Sequence, residues 1–323
     1  MDSFEDKIAV ITGGGTGMGR ELARQLTGAG CHVSICDVSE ENMAQTKALC
    51  EADAAGEVRL TTHLADVSDE AQVLAFRDAV MREQETDCVH LVFNNAGIGG
   101  AGSLITDDRE AWEKTFNICW LGVYHGTRTF LPLLIAADEG HLINTSSVNG
   151  FWASIGPDTA HTAYSAAKFA VKGFTEALIN DFRLNAPHVH VSLVMPGHIG
   201  TSIVINSGRM LGTDPKEMSD ADLFEARDRL VARGLALGEA SHEEIRQVLV
   251  MMGEMFRDQA PMTAAEAATV ILDGVRERRW RILVGEDARI LDQLVREDPE
   301  GAYGQAFMER LIEKANWGLG NLG

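Results

Sequence analysis

The chain has 323 residues, 45% apolar and 24% charged, with a formal net charge of −20. That charge argues against nucleic acid as a partner, because binding there rests on lysines and arginines neutralising phosphates, and it disfavours anionic membrane surfaces. Its five cysteines (Cys31, Cys36, Cys50, Cys88 and Cys119) are odd in number and show no C-x-x-C spacing, so reduced thiols in a cytoplasmic protein are expected. The start, MDSFEDK, lacks the basic and apolar regions of a secretory signal, and no apolar run approaches the ~20 residues of a membrane span.

In chain order, KIAVIT (7–12) reads as a buried strand running into a glycine cluster and then a helix through about Thr27. HVSIC (32–36) is a second strand, and the Ala-rich polar stretch from Glu40 to Ala55 a second helix. VRLTTHL, HLVFNN, HLINTSS and VHVSLVMP supply strands near residues 58, 90, 141 and 189, with helical patterns between them, and WRILVG (280–285) supplies a last one. Such alternation implies a parallel sheet covered by helices on both faces. No repeat, low-complexity tract or linker divides the chain, so a single domain of residues 1–323 is expected. His188 and His190 share a strand face without a third ligand nearby, and no metal site is expected.

The stretch from about Ser202 to Pro261 breaks the rhythm, having no strand pattern. Two amphipathic helices are expected in it. Ser241 followed by Glu244 is a capping-box signature, after which Ile245, Val248, Leu249, Met252, Met255 and Phe256 recur at helical spacing. Thr263 and Glu266 repeat the cap for the helix leading into the last strand, and Ala306 to Ala315 is expected to be helical. The expected divisions are a core at 1–200, a helical insert at 201–262, the last helix and strand at 263–285 and a C-terminal extension at 286–323.

The chemistry begins with TGGGTGMG (12–19), between the first strand and the first helix. Gly13, Gly17 and Gly19 are spaced G-x-x-x-G-x-G, with Thr16 and Met18 in the same turn. Glycines there let the backbone turn sharply and approach a pyrophosphate at a helix N-terminus. Asp37 ends the second strand 20 residues beyond Gly17, where a dinucleotide fold presents a carboxylate to the adenosine ribose. The plainer readings are a tight turn and a helix-flanking aspartate before Ser39. In TAYSAAK, Tyr164 and Lys168 stack one turn apart on one helix face, which taken alone is an ordinary surface pair.

In this order, the motifs resemble the classical short-chain dehydrogenase/reductase family from Lys7 to about Thr201, and more loosely through the last strand. The resemblance implies an α/β, Rossmann-type doubly wound parallel sheet with an enlarged helical substrate lid. It assigns Gly13, Thr16, Gly17, Met18, Gly19 and Asp37 to the cofactor, and Asp66 and Val67 to the adenine. Asn94, Asn95, Ala96 and Gly97 match the N-N-A-G segment that supports the sheet and borders the cofactor. Pro196, Gly197, Ile199 and Thr201 match the P-G-x-I-x-T that closes over the nicotinamide. Asn117, Ser147, Tyr164 and Lys168 match the catalytic set: a water-holding asparagine, a serine on the substrate oxygen, the acid–base, and a lysine on the nicotinamide ribose.

The implied reaction is NAD-dependent interconversion of a secondary alcohol and a ketone by a cytoplasmic homodimer or homotetramer. A free tyrosine has a pKa of about 10, and lowering it by about three units requires roughly 4 kcal/mol of differential interaction. Lys168 and the oxidised nicotinamide are expected to supply that jointly. Ser147 and Tyr164 lie 17 positions apart, a few more than the family usually shows, and VNGFWASIGPDTAH can absorb the difference as a longer loop. Two other readings share parts of this pattern. An extended-branch epimerase or dehydratase favours a different glycine spacing, and a non-catalytic dinucleotide-binding regulator tends to lose the Ser, Tyr or Lys. Phe151, Trp152, His161, Met251, Met252, Met255 and Phe256 are pocket candidates, with core packing expected for most of the methionines. The insert is expected to be a lid over a roomy apolar pocket, the alternative being packing on its neighbours or another subunit.

Overall fold

Parallel strands with buried faces need apolar side chains on both sides, and the central strands have them. In the computed structural model, which describes residues 1–318 apart from 55, 101, 158 and 233, the strands are β1 (Ile8–Thr12), β2 (His32–Asp37), β3 (Leu60–Leu64), β4 (Leu91–Asn94), β5 (Gly140–Thr145) and β6 (Val189–Pro196), then the short β7 (Ile199–Gly200) and β8 (Met262–Thr263), and finally β9 (Arg281–Val284). Seven of them form one sheet in the order β3-β2-β1-β4-β5-β6-β9, every pair parallel. β7 and β8 pair separately.

The register aligns Val10 with Val92 and Leu142, and Ile11 with Phe93 and Ile143. Successive residues point to opposite faces. Ile11, Phe93 and Ile143 therefore join one buried cluster, with Leu22, Leu26 and Ile271, while Val10, Val92 and Leu142 join the other, with Phe76, Phe130 and Phe182. The helices covering these faces are α1 (Gly17–Gly28), α2 (Glu40–Asp53), α3 (Glu70–Gln84), α4 (Arg109–Phe116), α5 (Gly122–Ala136) and α6 (Thr162–Asn185). A π turn, Asn117–Leu121, joins α4 to α5. The strand order reverses between β1 and β4, and a ligand crevice in such a sheet lies at the carboxyl ends of those strands.

Among the described residues, the insert holds three helices where two were expected: α7 (Ile203–Met210), α8 (Asp220–Ala232) and α9 (His242–Asp258). α7 is only eight residues long and starts two residues after Thr201, too short to show a helical period of its own. The Ser241/Glu244 and Thr263/Glu266 boxes both form reciprocally, the second opening α10 (Ala264–Arg276). After β9, the chain forms α11 (Glu286–Glu297) and α12 (Gln305–Ala315). These pack a third cluster around Trp152, Leu291, Phe307, Leu311 and Trp317. The second helix ends at Asp53, and the Ala55 expected to close it lies outside the described residues, as do the last five of the extension. Among the described residues no helix is long and apolar enough to cross a membrane, and the five thiols are free.

Burial also sets an acid limit. His141, inside the sheet with Nε2 2.8 Å from Ser192 Oγ, is pushed by desolvation down to about 3, and His161 down to about 4. An unfolded histidine titrates near 6.5. The unfolded chain thus binds protons that these folded imidazoles refuse, so their contribution to stability is full above about pH 6.5 and is lost as pH falls towards 4 and 3. The thermal midpoint is expected to decline from about pH 6.5 to pH 4, and less steeply in His141→Gln. Thermal unfolding across that range checks this, and an unchanged slope in the variant would remove His141 as a cause.

Candidate active site

Gly13 (φ 67°) and Gly17 (φ 54°) take the left-handed conformation in the turn after β1, which other residues adopt only with strain. The Gly14 N–H donates to Cys36 O (3.1 Å) and the Gly15 N–H to Asp37 Oδ2 (2.9 Å), stitching the turn to the end of β2. Thr12 Oγ1 accepts from the N–H groups of Asn95 and Ala96 (3.0 and 3.1 Å), while Asn95 Nδ2 donates to Thr12 O (3.1 Å), stitching it to the end of β4. A Cβ on Gly13 would stand 2.7 Å from Ala96 Cα, and one on Gly19 would overlap Gly13 O. The result is a backbone cradle at the start of α1. Thr16 caps that helix without a side-chain bond, and no acid lies in its first turn. Its leading N–H groups suit an anion such as a pyrophosphate.

Asp37 receives N–H donors on both oxygens, Gly15 at Oδ2 and Ser39 at Oδ1 (3.1 Å). Burial pushes its carboxyl up, and those N–H groups and the nearby Arg20 pull it back. Arg20 is a residue that motif reading missed. It donates from Nη2 and Nε to Gly15 O (2.6 and 3.0 Å) and from Nε to Thr46 Oγ1 (3.0 Å), tying the glycine turn to α2. The only signal was a basic residue one position past the glycine motif. One strand over, Asp66 Oδ1 accepts from Ser68 N and Oγ (2.9 and 2.7 Å), and the buried Val67 packs against Gly122.

Asn94, expected to support the sheet and border the cofactor, turns its side chain into the protein. Its side chain is 1% exposed and is spent inside the protein, donating to Asn144 Oδ1 (2.8 Å), Thr127 Oγ1 (3.0 Å) and Val123 O (3.4 Å). Of the two tasks implied for the segment, these bonds serve the sheet; Ala96 and Gly97 follow the strand end, Ala96 against the Gly13 turn. Gly97 matters for space, since a Cβ there would stand 3.5 Å from Lys168 Nζ and 3.6 Å from Cys119 Sγ.

Lys168 is 2% exposed, and Nζ donates to Thr145 O (3.0 Å) at the end of β5. Ser146 Oγ returns a bond to Lys168 O (2.8 Å), fixing α6 against that strand. The ammonium lies 5.3 Å from the centre of the Tyr164 ring. Among the protein's own groups, desolvation dominates Tyr164 and pushes its phenol above the usual range; Cys119 adds to the rise and the Ser147 side chain opposes it. Burial also lowers Lys168. The expected lowering of the phenol therefore does not come from the protein alone. Ser147 follows β5 and opens a short 3-10 turn, Val148–Gly150, accepting from the Asn149 N–H at 3.1 Å. Asn117 begins the π turn, where the Gly122 N–H donates to Asn117 O. Such turns often mark functional positions.

His161 stacks on Tyr164, ring centres 4.9 Å apart and tilted 42°, a neighbour that its place in a loop gave little reason to expect. Trp152 does not line the crevice, because its Nε1 donates to Ala302 O (2.8 Å) within the third cluster. From the other side, Thr201 Cγ2 comes within 3.1 Å of a Cβ placed on Gly17, bringing P-G-x-I-x-T onto the cradle. The Gly197 N–H donates to Val284 O (2.9 Å), Ile199 pairs with Met262, and Pro196 ends β6. His198 Nε2 lies 2.7 Å from Phe256 O, and its ring packs on Phe256, which accounts for that pocket candidate. Met251 is exposed to solvent. Met18, in the cradle, packs on the first cluster. Among the described residues no group of three His, Cys, Asp or Glu side chains is placed to hold a metal ion.

Known proteins resemble this chain in sequence and fold. The family model described as short chain dehydrogenase matches residues 7–211. A Mycobacterium tuberculosis protein provisionally named oxidoreductase SadH is 35% identical over 296 residues, 92% of each chain. Levodione reductase of Leifsonia aquatica is 34% identical over 214 residues, 66% of this chain and 76% of that one. Among solved structures, a short chain dehydrogenase/reductase from Burkholderia phymatum in complex with NAD superposes with a TM-score of 0.73 at 30% identity, covering 94% of this chain and 98% of that one. A metagenomic short-chain oxidoreductase in complex with NADP gives a TM-score of 0.53 at 30% identity over 60% of this chain and 84% of its own.

Proposed function

The chain belongs to the short-chain dehydrogenase/reductase family, and on that premise we propose that it interconverts a secondary alcohol and a ketone, with NAD preferred and Tyr164 as acid–base. One observation carries the reading. Lys168 lies against both Tyr164 and Gly97, in a helix bonded to the end of β5, where Ser147 follows. That is the carboxyl end of the sheet, where the glycine cradle after β1 also lies. A reductase and an oxidoreductase among the relatives, and a similar structure holding NAD, support it.

The residues present suit a dinucleotide. The cradle and the bare N-terminus of α1 would take the pyrophosphate, Asp37 the adenosine ribose, Asp66 and Val67 the adenine side, and Ala96, Gly97 and Pro196–Thr201 the nicotinamide end. When bound, the dinucleotide accepts the hydride in oxidation and returns it in reduction. Tyr164 takes the alcohol proton in oxidation and gives it back to the ketone oxygen in reduction. Ser147 donates a hydrogen bond to the substrate oxygen, holding it beside the phenol. Lys168 favours the phenolate by its charge and orients the nicotinamide ribose; Asn117 holds a water through which the proton reaches solvent. Because burial raises the phenol, the cation beside it has to offset desolvation before Tyr164 can serve as a base.

The insert is proposed as a lid. Asn206 of α7 donates to Thr16 Oγ1 (3.1 Å), Ser207 Oγ accepts from the Gly99 N–H (2.8 Å), and Lys114 donates to Met210 O (2.6 Å). α7 thus lies across the cradle and the end of the β4 segment, with α9 behind it where Gly253 meets Ile205. Bulky, mainly apolar ketones are the expected substrates.

Tyr164→Phe removes only the phenol oxygen, so turnover should fall below about a tenth of wild type while dinucleotide affinity stays within about twofold. Steady-state kinetics with a binding titration checks this, and retained kcat would end the assignment. NAD should be preferred over NADP, because at ~4 Å and an effective dielectric of about 20 the Asp37 carboxylate opposes a 2′-phosphate by about 4 kcal/mol per charge pair. Comparable kcat/KM with both cofactors would show that Asp37 faces elsewhere. For the lid, kcat/KM should rise with ketone bulk, and hydrogen exchange over residues 205–258 should slow when ligand binds. Preference for small charged substrates with unchanged exchange would refute it.

A further inference from the structure

We propose that Asn149 is a positioning residue for Ser147, and that the C-terminal extension holds Asn149 in place; what Ser147 does chemically rests on the alcohol–ketone reading above. A serine hydroxyl on an open loop samples several rotamers. Here Ser147 Oγ accepts the Asn149 N–H at 3.1 Å and lies 3.5 Å from Asn149 Oδ1. Asn149 is itself 4% exposed, and its Nδ2 donates to Trp152 O (3.0 Å) and Ser154 O (2.7 Å). The carboxamide is fully engaged, so its orientation is fixed by where those two carbonyls stand.

The stretch that carries those carbonyls is in turn held from far along the chain. Trp152 Nε1 donates to Ala302 O (2.8 Å), the Ala153 N–H donates to Tyr303 Oη (3.2 Å), and Trp317 Nε1 donates to Ile155 O (3.1 Å). Three bonds from the extension thus grip three residues, Trp152, Ala153 and Ile155, within one four-residue stretch. Val148, the neighbour of Ser147, is buried in the same apolar cluster as Trp152, Phe307 and Trp317. The segment between Ser147 and Tyr164 carries glycines and a proline and would otherwise be an exposed loop. Instead Val148 and Trp152, on either side of Asn149, are buried in a core, while Ala153, Pro157 and Ala160 stay exposed. The extension therefore reaches the site through one buried amide. Ser147 is also the group that counters desolvation of the Tyr164 phenol, so its placement bears on both substrate and base.

The test uses the full chain with Asn149→Ala, Trp317→Phe and the double variant. Trp317→Phe keeps the ring in the core and deletes only the Nε1 donor. Asn149→Ala should lower kcat by about thirtyfold, with KM within about threefold and NAD affinity within about twofold. The pH at which alcohol oxidation is half-maximal should rise, because a displaced Ser147 no longer assists the phenolate, and a purely structural loss would leave that midpoint in place. Trp317→Phe should lower kcat by about threefold, and the double variant should be no worse than Asn149→Ala, since both act on one path. Additive losses, or a kcat in Asn149→Ala within about twofold of wild type, would overturn the proposal. If Asn149→Ala fails to fold, the kcat and pH midpoint of Trp317→Phe decide it. If wild type turns over no alcohol or ketone, the functional reading fails by itself, and hydrogen exchange still decides the positioning: Trp317→Phe should speed exchange of the Asn149 amide, and unchanged exchange would refute the link.

Discussion

A row of buried side-chain bonds crosses the middle of the sheet, and the candidate site is indexed to it. Asn94 of β4 donates to Thr127 of α5 and to Asn144 of β5, and Asn144 donates to Thr175 of α6. An amide left unpaired in such a place costs about 1–3 kcal/mol, so a slip of one strand or helix against the next is penalised at each junction. Gly126 is part of the same constraint, since a Cβ there would strike Asn94 Oδ1. From that row extend the segments that matter: Gly97 after β4, Ser147 after β5, Tyr164 and Lys168 on α6, and Asn117 in the π turn before α5. Their meeting depends on one register held by polar groups inside an apolar sheet.

The electrostatics of the crevice differ from those of the whole molecule. The chain carries a large negative charge, yet among the described residues neither the buried Lys168 nor the half-buried Tyr164 has a carboxylate to pair with, and desolvation keeps His161 beside them neutral. Desolvation raises a phenol and lowers an ammonium. Both groups are thus pushed towards their uncharged forms, and charge arriving with a ligand has more effect there than it would in water. At the other end of the crevice Asp37 keeps its oxygens on main-chain donors, which positions it without neutralising it.

Much of the architecture was legible in the residues because it rests on local signals. Strand–helix alternation, the glycine turn after β1 and the two capping boxes each depend on neighbours within a few positions. The third insert helix escaped because eight residues carry too little period, and Arg20 because its target, Gly15 O, is defined only by the folded turn. Trp152 read as a pocket residue because its partner, Ala302, is 150 positions away.

By itself the sequence determined the order of elements, the family and the residues eligible for chemistry, since residue type and short spacing carry those. Only the tertiary structure decided how they are used. It turned Asn94 inward and set His161 against Tyr164. It surrounded the phenol with protein that by itself raises it, leaving the lowering expected of Lys168 and the nicotinamide together to offset that burial, and it made the C-terminal extension part of the wall beside Ser147. The physical reason is common to all four: burial and hydrogen-bond pairing between distant segments exist only once the chain has closed on itself, and they leave no periodic trace along it.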